Sequence, residues 1–408
     1  MATEGPFYLR GLLGSGERKS LQPMAARLGL PKHDQLQHFI ASTAWDDGPL
    51  WTVLGHEADR LVGGADAYLV IDDTALPKKG TSSVGVTRQY CGQLGKRANC
   101  QSLVSLTLAQ GEVPVPVSLR LFLPDGWALD AERCARAGVP DANVAPRSKG
   151  EIALAELDRV RAAGMRFAPV LADAGYGASA VFRHGLDARG LRWAVGIPRN
   201  QKMCGLDVQL VKPAGRARKL VPDEEAREAE AVLAKLPWRR VTWRSGTKGK
   251  LAAKFAAVRV RVGDGPTWGN NKHLPGKEAW LGGEWRSRGE RKYHLSNLAP
   301  GTSTRALAAA IKARWVCEQG RQQLKQELGL GHFEGRSWTG LHRHALMTCI
   351  AFAYLQHLRL AEHRRTRRGK MRTRQPGPPP SPSLPALCPA IIGRLFVHLV
   401  LRQGRGSR

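Results

Sequence analysis

Acidic residues are scarce in this chain. Its 408 residues include 34 Asp and Glu against 63 Lys and Arg, a formal net charge of +29, with a pI near 10.6. So little negative charge calls for a polyanionic partner, and nucleic acid is the expected one. A genome biased toward Arg codons accounts for a share of the excess. Cysteine is also sparse and irregular: seven residues, at 91, 100, 134, 204, 317, 349 and 388. No Cys-x-x-Cys pair occurs among them, so neither a zinc ribbon nor a disulfide framework is supported, and a reducing compartment fits. Long apolar runs are missing too. The longest, "AIIGRLFVHLVL" (390–401), is broken by Arg394 and His398 and is too short to span a bilayer. The first residues lack the apolar stretch of a secretion signal. These absences lead us to expect a soluble, cytoplasmic protein with no membrane partner.

The chain is long enough for more than one ordinary domain. Residues 1–64 are read as a compact basic helical unit, from apolar residues spaced by three and four. Such a unit could bind DNA or cap a core. Residues 65–199 change character. "AYLVIDD" is a continuous apolar run, as in a strand covered on both faces. "QSLVSLTLAQGEVPVPVSLRLFLP" (101–124) alternates like a hairpin around Gln110-Gly111-Glu112. Helix and strand patterns then alternate through "GEIALAELDRVRAAG", "FAPVLADAGYG", "ASAVFRHGLDARG" and "LRWAVGIP". This order predicts an α/β protein with a mixed sheet and flanking helices. Residues 200–294 are expected to form a β-rich insertion. Two long helices are expected at 303–330 and 338–362, within a segment 295–362. From 363 to 408 the chain reads as a basic tail rich in Pro and Ser.

Two apolar strands end on acids. "YLVIDDT" carries Asp72 and Asp73, and "PVLADAGYG" carries Asp173 before a turn that Gly175 and Gly177 permit. Functional groups of α/β sheets sit at such strand ends. Burying a carboxylate there is costly unless it is paired or binds metal. Taken singly, each acid is better read as a turn residue or a helix cap. The helix 303–330 supplies a further acid. At 100° per residue, Arg314, Glu318 and Lys325 fall within roughly 40° of arc, on the stripe that begins with Leu307 and Ile311. A stripe that turns from apolar to charged suggests a helix passing from the core into a cleft. An exposed face with an Arg314–Glu318 ion pair is the alternative.

The three acid motifs together resemble those of the DDE transposases of bacterial insertion sequences. The branch in question carries a Tyr-Arg-Glu-Lys signature, with gaps of two, three and six residues. Arg314, Glu318 and Lys325 match the last three places, and Ile311 stands where Tyr belongs. "IDDT" resembles the first acid motif and "ADAGYG" the second. "SVGVTRQYCGQLGKRANCQ" (83–101) resembles the segment after the first acid. The likeness covers roughly residues 8–362. It implies a ribonuclease H-like core, interrupted by a β-rich insertion between the second and third acids. It assigns the catalytic acids to Asp73, Asp173 and Glu318, with Asp72 in reserve for Asp73.

A DDE mechanism implies two Mg²⁺ ions, with Mn²⁺ as a possible substitute, because hard cations take carboxylate oxygens. On this expectation Asp73 bridges both ions, and Asp173 and Glu318 bind one each. Arg314 and Lys325 are expected to hold phosphates of double-stranded DNA, from the transposon ends and the target. Lys78, Lys79, Lys96 and Arg97 are weaker phosphate candidates. A homodimer would suit synapsis of two ends. Among the tryptophans of the insertion, Trp238, Trp243, Trp280 and Trp285 could stack on a base, although core packing is expected for most. His342 and His344, two apart on a helix, point away from each other and are not read as ligands. A catalytically inactive, DNA-binding descendant is the alternative function. An RNA-binding protein would explain the charge but not the acids.

Overall fold

The computed structural model describes residues 4–42, 45–213, 220–246, 249–270, 272–286 and 289–370. Their centre is one mixed sheet of 12 strands. Strand β1 (Tyr68–Pro77) lies between β3 (Lys96–Gln110), its antiparallel partner, and β5 (Pro169–Ala172), its parallel partner. β2 (Thr87–Cys91) and β4 (Val113–Phe122) complete the antiparallel side on β3, and β6 (Arg192–Ile197) runs parallel to β5. The expected hairpin is present: Gln110 pairs with Val113 across a turn in which Gly111 takes a left-handed φ of 60°.

The long strands of 200–294 join this sheet, while two short pairs, Leu210–Val211 with Val221–Pro222 and Thr267–Gly269 with Lys272–His273, stand apart from it. Arg291–Ser296 pairs antiparallel with β6, Glu278–Trp285 with Arg291–Ser296, and Gly249–Val262 with Glu278–Trp285. These strands therefore extend the same sheet outward.

The two faces of the sheet are covered differently. On one, helices Lys149–Ala162 and Ala180–Ala188 bury Ile152, Leu157, Phe182 and Leu186 in the main core with Leu69, Ile71 and Val170. The first of these helices starts on a capping box, with Ser148 and Glu151 satisfying each other's backbone N–H. On the other face, Val70, Ala109, Leu171 and Ala194 pack under Ala310, Val316 and Cys317. Those residues belong to helices Thr304–Ala313 and Trp315–Gln326. The sequence predicts one helix over 303–330; the structure has two, interrupted at Arg314. No Gly or Pro stands between 305 and 319 to announce the break.

Helices α1 (Glu4–Leu13), α2 (Leu21–Arg27), α3 (Asp34–Ala41) and α4 (Gly48–Val62) bury their apolar residues in the main core, and α1, α3 and α4 lie on the long helix Trp338–Lys370. That helix runs past the expected end at 362 into the basic run, where Arg and Lys are good helix formers. The expected tail, from 371 onward, lies outside the described residues. Two buried histidines fasten the long helix. His344 Nδ1 is 2.7 Å from the Tyr8 hydroxyl, and His342 Nε2 accepts the Leu121 N–H at 3.3 Å. Among the described residues no helix is long and apolar enough to cross a membrane.

Candidate active site

Register places the sheet acids. Leu69, Val70 and Ile71 lie beside Val170, Leu171 and Ala172 in parallel pairing. The next residue on each strand is an acid, Asp72 and Asp173. Side chains alternate along a strand, so Asp72 shares the face of Val70, and Asp173 that of Leu171. This is the face under the helix of Glu318. Asp73 points to the opposite face. There its carboxylate meets the Lys149 ammonium and accepts the Tyr176 hydroxyl, while its backbone N–H donates to Asp72 Oδ1 at 2.8 Å. The sequence assigns the first catalytic place to Asp73; the pleat brings Asp72, its reserve, to the face of Asp173 and Glu318.

Asp72 is buried, and its Oδ2 is held by two guanidinium groups, Arg314 and Arg321, the latter at 2.7 Å. Arg314 Nη2 also donates to Glu318 Oε1 at 3.0 Å. Arg314 thus lies between an acid of the sheet and the acid of the helix. Glu318 is the most open of the group, its side chain 57 % exposed. Asp173 caps the short turn Ala174–Gly177 by accepting the Gly175 N–H at 2.9 Å. Burial pushes its carboxyl pKa up, the charge of Asp72 adds to that, Arg314 opposes it, and Asp73 adds a smaller push. The turn itself depends on close backbone approach: a Cβ on Gly177 would come within 2.0 Å of the Gly196 carbonyl oxygen.

A cleft of about 370 Å³ opens beside Asp173. Arg199, Arg291, Lys292 and Arg314 stand on its walls, and Ile311, at the signature's Tyr place, lines it as well. Lys325 is half-buried further along the Glu318 helix. Burial lowers its pKa, the neighbouring Arg321 lowers it further, and Cys91, Asp72 and Cys100 oppose the shift. Lys79, Lys96 and Arg97 are exposed, whereas Lys78 donates to the Phe333 carbonyl at 2.5 Å.

The four tryptophans are less buried than core residues, although Trp238 packs against the main core. Trp238, Trp243, Trp280 and Trp285 are each only partly buried. Each has a cation over its ring: Arg291 lies 4.6 Å from the Trp285 centroid and 5.7 Å from that of Trp238, Lys312 5.1 Å from Trp243, and Arg259 5.7 Å from Trp280.

Several residues of the site lie outside the sequence expectations, among them Arg321, Tyr176, Lys149, Glu284 and the cleft cations Arg199, Arg291 and Lys292. Arg321 had a signal, since seven residues after Arg314 it returns to the same helical stripe. Tyr176, three residues after Asp173, had only proximity. Lys149 and Glu284 had none. Glu284 is buried on strand Glu278–Trp285 and binds Lys312 at 2.6 Å, tying the insertion to the helix before Arg314.

The donor set suits a hard divalent cation, since Asp72, Asp173 and Glu318 offer only carboxylate oxygens. Like charges crowded at Asp173 are what such a cation would relieve. Among the described residues, however, no three acidic, His or Cys side chains are gathered closely enough to hold an ion. The Arg314 guanidinium fills the space between Asp72 and Glu318.

Asp173 follows β5 as expected, but β1 does not end on its acids: Asp72 and Asp73 lie mid-strand where the parallel pairing stops, and β1 continues on β3 to Pro77. These acids, a basic helix facing them and a cation-walled cleft define a mixed α/β protein with an acidic site set in positive surroundings. The chain belongs to the DDE superfamily of endonucleases, whose sequence pattern matches residues 1–250. That match includes Asp72, Asp73 and Asp173 and ends before Glu318. The chain is also similar to a probable transposase for insertion sequence element IS701 from Microchaete diplosiphon, with 30% identity over 191 residues. The alignment covers 47% of this chain and 47% of the relative, so the chain spans about half the length of the curated relative it matches.

Proposed function

We propose that the chain is a transposase: it cuts DNA at transposon ends and joins the freed 3′-OH to target DNA. The observation that carries this reading is the register of β1 on β5, which sets Asp72 beside Asp173 under the Glu318 helix. Membership of the endonuclease superfamily and likeness to a probable insertion-sequence transposase support it. The mixed sheet with helices on both faces is compatible with a ribonuclease H-like core.

Each residue then has a task. Asp72, Asp173 and Glu318 would hold Mg²⁺, or Mn²⁺ in its place, and the bound cations would supply activation of the attacking oxygen and stabilisation of the leaving one. Arg314, Arg291, Lys292 and Lys325 bind and orient backbone phosphates of double-stranded DNA, the guanidinium groups in bidentate fashion. Asp73, paired with Lys149 and Tyr176, shapes the site from the far face of the sheet. A homodimer would bring two transposon ends together.

The test is nicking of a supercoiled plasmid bearing the element's own ends, with Mg²⁺ and with EDTA. Cleavage is expected with Mg²⁺ alone and not with Asp173→Asn or Glu318→Gln. Cleavage unaffected by both substitutions would reject the assignment.

A further inference from the structure

The bracket around Asp72 carries more than the reading above requires. Both oxygens of this carboxylate are engaged. Oδ1 accepts the Asp73 N–H at 2.8 Å, and Oδ2 is shared by Arg314 and Arg321, the latter at 2.7 Å. The Asp72 side chain is 9% exposed, so water does little to screen these pairs. Arg321 is the deeper partner at 16% exposure, and Arg314 the more open at 24%. Arg314 also stands at the interruption between two helices and holds Glu318 at 3.0 Å. A cation approaching Asp72 and Glu318 must therefore compete with two guanidinium groups already in place.

DNA phosphate offers those groups another partner. An Arg–phosphate pair is bidentate and charge-assisted. Arg314, facing the cleft, is the one that phosphate can reach. Arg321, behind it, keeps Asp72 aligned.

Resting on the assignment of Asp72 as a cation ligand, we infer that Arg321 is a positioning residue that, with Arg314, keeps the site free of metal until DNA is bound. In the DNA-free protein the guanidinium pair neutralises Asp72 and stands where the cation would bind. A phosphate backbone draws Arg314 off, and Asp72 and Glu318 become available. The chain would so bind DNA first and metal second, and would not act as a loose nuclease in the absence of its substrate.

The experiment is titration of the DNA-free full-length chain with Mn²⁺ alone, followed by the electron paramagnetic resonance signal of free Mn²⁺. Wild-type protein is compared with Arg321→Gln, Arg321→Lys and Arg321→Gln combined with Asp72→Asn. Removing one of two cations beside Asp72 should tighten Mn²⁺ binding about tenfold in Arg321→Gln. Arg321→Lys, which keeps the charge, should stay with wild type, and Asp72→Asn should cancel the gain. An Arg321→Gln affinity within about twofold of wild type would overturn the inference, as would a gain that survives Asp72→Asn. Where Arg321→Gln fails to fold by circular dichroism, Arg314→Gln carries the same expectation and the same overturning result. Plasmid nicking separates this idea from the function it rests on. With no Mn²⁺ gain but nicking that is lost in Asp72→Asn, the bracket falls and the transposase reading stands. A gain cancelled by Asp72→Asn, in a protein that never nicks, leaves the bracket and removes the enzyme.

Discussion

Arg183 and Asp264 form an ion pair at 2.7 Å, with side chains only 2% and 7% exposed. Arg183 also donates to the Gly177 carbonyl, at the end of the turn that Asp173 caps. Asp264 follows the insertion strand Gly249–Val262. One guanidinium therefore links the insertion to the turn that places a candidate catalytic acid. Asp264→Asn would leave the Arg183 charge buried without its carboxylate, and a loss of about 3–5 kcal/mol is expected. Urea unfolding midpoints of the two proteins measure it. A loss below about 1 kcal/mol, the value of a surface pair, would show that the link is not structural.

Asp72 and Asp73 are adjacent in sequence and opposite in direction. Asp72→Asn is expected to reduce strand cleavage by about a hundredfold or more, as removal of a cation ligand does. Asp73→Asn removes the charge paired with Lys149 and weakens the Tyr176 hydrogen bond, and should cost about tenfold or less. Parallel nicking time courses decide between them. A greater loss in Asp73→Asn would return the first place to that residue.

The Asp173 turn has no room for a side chain at Gly177. A Cβ there meets the Gly196 carbonyl oxygen at 2.0 Å and the Val195 side chain at 2.8 Å. Gly177→Ala should destabilise the protein by about 1–3 kcal/mol through overpacking. Differential scanning calorimetry checks this, and an unchanged Tm would mean that the turn and β6 can part without loss.

Buried histidines give the fold an acid limit. Burial lowers the pKa of both His342 and His344 from 6.5 to about 4. The unfolded chain takes up protons near 6.5, whereas the folded chain does so only near 4. The stability linked to these two rings is thus complete above pH 6.5 and is lost as pH falls from there toward 4. Denaturant midpoints measured at steps across that window should fall. A flat profile would mean that neither ring is enclosed as described.

The strands and helices were legible in the residues wherever one periodicity ruled. The runs around Asp72 and Asp173 read as buried strands, and they are parallel neighbours. The alternation of 101–124 read as a hairpin, and it is one. The stripe of Glu318 and Lys325 read as one face of a helix, with Arg321 on it unread, while Arg314, expected on the same helix, stands at its N-terminal cap. Local pattern suffices here because side-chain spacing and burial are set by neighbours along the chain.

Three matters were decided only by long-range packing. Which of two consecutive acids faces the Glu318 helix depends on how β1 sits against β5 and which helices cover each face. The break at Arg314 has no Gly or Pro to mark it and coincides with a side chain that reaches Asp72, 242 residues away in sequence. Tryptophans that a strand pattern would bury stand half-open under cations from other segments. Composition and local spacing determined that this is a basic α/β chain with acids on two buried strand runs, one of them, Asp173, at its strand's end. Direction, pairing and charge neutralisation at those acids arise between segments far apart in the chain, and only their packing together could settle them.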